Sequence, residues 1–270
     1  MKNKVSPEYK ERIKSLDSVI RECILVSQNF AGIASPTSAH YYASVLFTSL
    51  CSRGVTLAIL SPHSPWAKKK VEHWDFSSIA GIVRSILEVR IAFFYLCSEK
   101  IDPIEWNCRW NIFNLHDCNS RIHMFSELQD SQEHLGGFEL QATELRERLK
   151  ANAFFCSLPI KRQNELLKGK TAYLFPLEEI AVNAGVDLHH FRWLYKLFSS
   201  QVHGLPMSFY RNGENNRGRG VHSESEEGFT TLCLSFAITL LVRSRDEMRE
   251  LFAEAKKPKK SLKHCRLARR

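Results

Sequence analysis

Two groups of polar residues on predicted helices have the residue types and the spacing that a catalytic or ligand-binding site requires. In the first group, Arg84 and Glu88 are four residues apart, so they share one face of a helix whose neighbouring residues are apolar. Charged side chains on such a helix must be paired or face a cavity, because burying an isolated charge is costly. The pair is therefore either a structural ion pair that fixes helix packing or part of a polar site that lines a pocket.

The second group lies on the helix predicted from Asp187 to His203. The apolar face of this helix consists of Leu188, Phe191, Leu194, Phe198 and Val202. A polar stripe borders that face at steps of three and four residues, and it consists of Arg192, Tyr195, Ser199 and His203. These residue types could hold a phosphate or transfer a proton, or they could form a hydrogen-bonded border of the core.

We predict that the two groups converge on one polar site, although more than a hundred residues separate them. The central helix must bury its Arg and Glu against something, and the polar stripe offers partners of the right chemistry. The candidate catalytic residues are therefore Arg84, Glu88, Tyr195, Ser199 and His203.

Basic residues that could bind nucleic acid are concentrated near the C-terminus. Residues 256–270 contain eight Lys or Arg and no Asp or Glu, and without them the formal charge of +9 falls to +1. This tail could attract an anionic partner through screened, sequence-independent contacts, or it could be a solvated, disordered segment. An Asn- and Gly-rich loop before the last helix could bind phosphate, or it could be a plain mobile loop. The candidate nucleic-acid-binding residues are Arg192, Arg211, Arg217, Arg219, Lys256, Lys257, Lys259 and Lys260.

The pattern of apolar residues predicts an all-α fold, a helical bundle in residues 1–255 followed by the tail 256–270. The expected helices are about 8–29, 38–51, 76–98, 103–128, 132–151, 176–183, 187–203 and 226–255. We expect Gly54 to end the second helix, and 76–98 and 228–242 to lie in the core, because both are apolar around most of their circumference. The irregular stretch 152–186 is a candidate inserted lobe.

The composition and the cysteines indicate a cytoplasmic protein. No signal-peptide pattern opens the chain, and the longest apolar run, 228–242, is too short for a transmembrane segment. The eight cysteines are scattered, which is typical of reduced thiols. The spacing of Cys108, His116, Cys118 and His123 matches no zinc module, so we expect no metal and no cofactor. Signatures of nucleotide hydrolases, α/β-hydrolases and zinc proteases are absent from the sequence.

These motifs carry a resemblance to a known family. The segment Arg84-Ser85-Ile86-Leu87-Glu88, followed by Tyr195-x-x-x-Ser199-x-x-x-His203-Gly204, resembles the signature of an uncharacterised family of bacterial helical proteins. The likeness spans about residues 60–242. The resemblance implies a helical bundle similar to the HEPN ribonucleases, and some relatives lie among mobile-element and phage-defence genes.

The HEPN likeness provides a fallback site. In those enzymes an Arg precedes a His by four to six residues; the Arg stabilises phosphate charge and the His transfers the proton of a ribose hydroxyl without a metal. Arg109 and His116 have six residues between them and lie on one helical face, although Trp110 stands where that family favours a polar residue. The alternative is an exposed helix pair without function.

The leading hypothesis is a cytoplasmic helical effector or accessory protein of a bacterial defence or toxin module that acts on or binds RNA. A metal-independent ribonuclease is one form of it. The alternative is a non-catalytic interaction module whose polar core shapes a surface for a protein partner. The sequence leaves the substrate, the oligomeric state and an antitoxin partner open.

Overall fold

The structure, a computed structural model, describes residues 5–127, 132–210 and 214–253, and these residues confirm the all-α fold. The long helices are α1 (Pro7–Phe30), α2 (Ser38–Leu60), α3 (Phe76–Phe93), α4 (Pro103–Ser126), α5 (Gln132–Lys150), α9 (Leu188–Val202) and α11 (Glu224–Ala253). The short helices are α6 (Ala153–Ser157), α7 (Ile160–Leu166), α8 (Leu177–Asn183) and α10 (Pro206–Phe209). The described residues contain no β-strand, and their β-type pairing consists of one isolated antiparallel bridge between Trp74 and Gly220.

The chain divides into two compact units. The first comprises Met1–Ser98 and Trp193–Arg270, and the second comprises Glu99–Arg192. In the first unit α1, α2, α3 and α11 pack on one another around a shared core. In the second unit α4 packs on α5, and the irregular stretch 152–186 forms α6, α7 and α8.

The core of the first unit follows from the apolar spacing of its helices. The helix α1 begins where Ser6 accepts a hydrogen bond from the backbone N–H of Tyr9 at 3.1 Å, with Pro7 in the first turn. The predicted core segments 76–98 and 228–242 both contribute fully buried side chains, which confirms that they lie in the core. The buried apolar side chains of these segments include Phe76, Ile79, Val83, Ile86, Leu87, Ile91, Phe93, Tyr95, Leu234, Leu240 and Leu241.

Gly54 does not end the second helix, contrary to expectation, because α2 continues to Leu60. A Cβ at this position would lie 3.3 Å from Cγ1 of Ile20 and 3.4 Å from Cδ1 of Leu241. The absent side chain therefore lets α1 and α11 approach α2 closely. The glycine serves helix packing rather than chain reversal.

The third helix changes its geometry before it ends. The α-helical part stops at Phe93, and Phe94–Ser98 forms one turn of π-helix. Single π-helical turns widen the backbone and change the direction of the side chains that follow. The predicted helix 76–98 is thus one continuous helical segment with two geometries.

Two adjacent carboxylates at the start of α11 hold the ends of other elements. Glu226 accepts hydrogen bonds from the backbone N–H of Phe76 at 3.1 Å and of Gly218 at 2.9 Å. Glu227 accepts from the backbone N–H of Ser6 at 3.0 Å. The first turn of α11 therefore fixes the entry of the chain into both α1 and α3.

Two helices meet the length and hydropathy criteria of a membrane span, namely Ser38–Leu60 and Glu224–Ala253. Core helices of globular proteins meet the same criteria, and in this molecule both helices pack within the first unit.

Candidate functional site

The end of α9 lies antiparallel to α3 within the first unit. Near the start of α3, the Ser77 hydroxyl donates to the side-chain oxygen of Gln201 at 2.7 Å. Farther along α3, Arg84 reaches Tyr195, which is earlier on α9. These contacts bring the Arg84 motif and the His203 motif together on one side of the unit.

Arg84 is the centre of the resulting cluster. Its Nη2 donates to the Tyr195 hydroxyl at 3.2 Å, and its guanidinium lies over the Tyr195 ring at 4.8 Å from the ring centre. Its Nη1 lies 3.4 Å from Nε2 of His203, and its Nε donates to Glu88 at 3.1 Å. Three of the other four predicted residues, Tyr195, His203 and Glu88, thus contact Arg84 directly.

The position of the Arg84 donor constrains the imidazole of His203. A guanidinium has only N–H donors, so a hydrogen bond to Nε2 requires a lone pair on that nitrogen. A hydrogen bond from Arg84 to Nε2 therefore requires the tautomer of His203 that carries its proton on Nδ1. A neutral imidazole beside a permanent cation has the form that can accept a proton.

The fifth predicted residue, Ser199, lies on the polar stripe but has a different contact. Its hydroxyl donates to the backbone carbonyl of Tyr195, one turn earlier on α9. Serine hydroxyls inside helices commonly form this bond. Ser199 is therefore engaged with its own helix rather than with Arg84.

The cluster lies at the surface rather than inside the core. The Arg84 side chain is 16% exposed and the Glu88 side chain is 47% exposed, while His203 is exposed. The central helix buries most of the Arg84 side chain, as expected, but it leaves Glu88 at the surface. The cluster is open to a ligand from solvent.

The buried charge of α3 is Arg90, a residue that the sequence analysis did not single out. Arg90 is fully buried, it pairs with Glu247 of α11, and Ser98 also donates to Glu247. Burial lowers the pKa of the Arg90 guanidinium, and Glu247 opposes that effect. The signal in the sequence was an Arg one turn before Phe93 and Phe94, whose rings lie under its guanidinium at 5.9 and 5.6 Å.

The serine of the Arg-Ser-x-x-Glu motif has a structural contact. Arg53 of α2 donates from Nε to the Ser85 hydroxyl at 2.7 Å, which ties α2 to α3. The sequence analysis missed Arg53, because 32 residues separate it from Ser85 and no spacing rule connects them.

The fallback residues Arg109 and His116 have separate partners in the second unit. Arg109 is buried rather than exposed, and it pairs with Glu105 at 2.6 Å and with Glu99. Nδ1 of His116 lies 3.1 Å from the carbonyl oxygen of Gly169. The idea of an exposed pair was wrong for Arg109, whose contacts are those of a structural ion cluster.

The predicted nucleic-acid-binding residues divide into three sets. Arg192 forms two hydrogen bonds of 2.9 Å with Glu178, and this contact raises the pKa of Arg192. Arg217 lies over the Phe229 ring, and Arg219 donates to Asn216 at 3.1 Å. The remaining candidates lie outside the described residues, namely Arg211, Lys256, Lys257, Lys259 and Lys260, as does the rest of the tail 256–270.

A second polar feature, which the sequence analysis missed, is an open cleft of about 1190 Å³ at the start of α11. Carboxylates, hydroxyls and amides dominate its lining, and Glu8, Glu224 and Glu227 give it a negative charge. Within this cleft, Nε2 of His222 lies 2.6 Å from Oε2 of Glu227. The negative charge makes this cleft unsuited to phosphates. Among the described residues, no three His, Cys, Asp or Glu side chains are grouped so as to hold a metal ion.

Comparison with known proteins gives one match. The model of a family of unknown function, DUF5677, matches residues 40–220, a range that holds all five predicted catalytic residues. Neither the curated proteins nor the solved structures contain a significant match. The expectation of an uncharacterised helical family is confirmed, whereas the HEPN likeness and the motif signature stay predictions.

Proposed function

The chain belongs to the DUF5677 family, and we propose that it is a metal-independent ribonuclease whose active site is the cluster around Arg84 and His203. The observation that carries the proposal is the surface contact between the Arg84 guanidinium and Nε2 of His203, at 3.4 Å. A permanent cation beside a neutral imidazole is the pair that cleavage through the ribose 2′-hydroxyl needs. The same proposal places the protein in the cytoplasm, as an effector or accessory protein of a defence or toxin module.

The reaction that this pair supports is an internal transesterification. When RNA binds, Nη1 of Arg84 turns from Nε2 of His203 to the phosphate, which frees the Nε2 lone pair. Nε2 then removes the proton of the 2′-hydroxyl, and the 2′-oxygen forms a bond to phosphorus. Arg84 donates to the phosphoryl oxygens, on which negative charge accumulates. The bond from phosphorus to the 5′-oxygen breaks, and that oxygen takes a proton from the Tyr195 hydroxyl. The products are a 2′,3′-cyclic phosphate and a 5′-hydroxyl end.

Glu88 and Ser199 have supporting roles in this scheme. Glu88 accepts from Nε of Arg84 and leaves both Nη groups on the side of Tyr195 and His203. Ser199 donates to the backbone carbonyl of Tyr195 and so contacts the turn of α9 that carries it. Both are therefore positioning residues, and Arg84, Tyr195 and His203 are the groups that would contact the substrate.

The test uses the purified full chain, an excess of metal chelator and a labelled single-stranded RNA. We expect cleavage that leaves a cyclic phosphate, and no cleavage of the same strand made of DNA. His203→Ala and Arg84→Ala should each lower the rate by about 10²–10⁴-fold, the range for a lost proton-transfer group or charge-stabilising donor.

The matched control is His189→Ala, which removes an exposed histidine of the same helix without touching the cluster. It should keep the activity of the unmodified chain. Cleavage that continues in His203→Ala at the original rate, or that stops in His189→Ala, would contradict the proposal.

A non-catalytic interaction module is the second candidate. It is favoured by the fact that Arg84 already has partners within the chain in Tyr195, His203 and Glu88. In that case no RNA is cleaved, and Arg84→Ala lowers the melting temperature while it weakens binding to a protein partner.

A further inference from the structure

Four large apolar side chains are exposed in the segment 205–210, which begins two residues after His203. They are Leu205, Met207, Phe209 and Tyr210, with exposed fractions of 41, 53, 49 and 73%. We call the segment 205–210 the aromatic turn. Isolated exposed apolar residues are ordinary on a protein surface, but a contiguous group usually marks a binding surface.

The backbone of the aromatic turn is held by its own hydrogen bonds. The N–H of Ser208 donates to the carbonyl of Leu205 at 2.7 Å, and the N–H of Tyr210 donates to the carbonyl of Pro206 at 2.9 Å. The rings of Phe209 and Tyr210 meet edge to face, with their centres 4.9 Å apart. The exposed rings therefore have a defined arrangement before any ligand binds.

The charge of the surrounding chain suits a polyanion. Between Trp193 and Tyr210, a stretch that lies in the first unit, the sequence contains no Asp or Glu, while it contains Lys196 and His203. Lys196 is exposed on α9, one residue after Tyr195 of the cluster. Exposed aromatic rings beside a basic, acid-free segment are the combination with which proteins bind single-stranded nucleic acids.

We infer that the aromatic turn is a stacking surface for unpaired bases, and that single-stranded RNA is the substrate class of this protein. The inference rests on the proposed function, because it assumes that the RNA phosphates lie at Arg84 and His203. Tyr210 follows His203 by seven residues, so their Cα atoms are at most about 24 Å apart. A strand whose phosphate contacts His203 could place a base on Tyr210 within a few nucleotides. A duplex would not offer its bases to the rings.

The test separates binding from cleavage. The probe is a short single-stranded RNA with a methyl group on every 2′-oxygen, which removes the attacking hydroxyl and so prevents the proposed reaction. Binding to the full chain is followed by fluorescence anisotropy at low salt. The comparison probes are an abasic strand of the same length and charge, and a duplex of the same sequence.

We expect the single strand to bind more tightly than both comparison probes. Tyr210→Ala should weaken this binding by about 5- to 150-fold, which corresponds to the loss of about 1–3 kcal/mol from one stacked base. Tyr210→Trp should retain the affinity, because stacking requires a ring rather than a hydroxyl. The matched control is Tyr41→Ala, since Tyr41 is 57% exposed and also contacts a neighbouring ring, that of Tyr42, edge to face.

Three outcomes would overturn the inference. The first is equal binding of the strand that carries bases and the abasic strand. The second is an unchanged affinity in Tyr210→Ala. The third is a dimer that Tyr210→Ala dissociates without any effect on RNA binding. The last outcome would identify a second copy of the chain as the occupant of the aromatic turn. Base-dependent binding that requires Tyr210 would support the inference even if no RNA is cleaved, and in that case only the proposed reaction fails.

Discussion

Removal of the acidic partner of Arg90 should destabilise the first unit more than removal of Arg90 itself. Arg90 is fully buried, whereas the Glu247 side chain is 26% exposed. In Arg90→Met, water can reach the carboxylate of Glu247, and Ser98 still donates to it. In Glu247→Ala, the guanidinium stays in the core without its carboxylate, and burying a charge in this way is costly.

The expected magnitudes follow from this asymmetry. Breaking a buried ion pair by removal of one partner costs about 3–5 kcal/mol, and the partial exposure of this pair places Glu247→Ala near the lower end. A loss of about 3 kcal/mol lowers the melting temperature by roughly 6–12 °C in a chain of this size. Arg90→Met should cost about 0–2 kcal/mol, because an apolar side chain of similar length replaces the charge.

The assay is urea denaturation followed by circular dichroism for both single variants and the double variant. The double variant should be no less stable than Glu247→Ala, since it no longer buries a charge. Glu250→Ala, which removes an exposed carboxylate from the same helix, should change stability by less than about 0.5 kcal/mol. If Arg90→Met proves more costly than Glu247→Ala, the reasoning from burial is refuted.

Three other outcomes can be measured on the same protein. Gly54→Leu should destabilise it by about 1–3 kcal/mol in urea denaturation, because the side chain would enter the space between Ile20 and Leu241, and an unchanged midpoint would contradict the close approach. Gly136→Ala should instead stabilise α5 by about 0.5–1 kcal/mol, because no atom lies within 4 Å of the added methyl group, and a loss of stability would contradict this. Burial acts to raise the pKa of Glu227, but hydrogen bonds from Ser6 and His222 outweigh it and lower the pKa below its ordinary value of 4.5. Its contribution to stability is therefore present above pH 4.5 and lost as the pH falls through the lowered pKa, so the stability difference from Glu227→Gln should be largest near neutral pH and should shrink in acid.

The sequence predicted those parts of the fold that depend on local periodicity. The apolar steps of α1, Pro103 at the start of α4, and the Gly and Pro after α9 gave helix bounds within a few residues of the structure. Gly54 was misjudged because a glycine at a helix end and a glycine at a helix crossing have the same appearance in a single sequence. Only the positions of Ile20 and Leu241, from two other helices, distinguish the two cases.

The candidate site was predictable in part for the same reason. Spacing on α3 and α9 identified which residues share a face. Because a charge on an apolar helix must be paired, we could also predict that Arg84 contacts Tyr195 and His203. Spacing could not show which face of α3 is buried, because the helix is apolar on several sides. That choice made Arg90 the fully buried arginine, whereas the Arg84 side chain stays 16% exposed.

The packing of α1 and α11 has a consequence for the choice of fragments of this protein. The family match covers residues 40–220 and so contains neither helix, although α11 packs on α3 and Glu226 holds the N–H of Phe76. A recombinant fragment cut at the family limits would leave the apolar side of α3 facing water and would be prone to aggregate. The stretch that the family model matches is therefore shorter than the stretch of this chain that must be expressed together, and a soluble fragment of this protein will need the helices on both flanks.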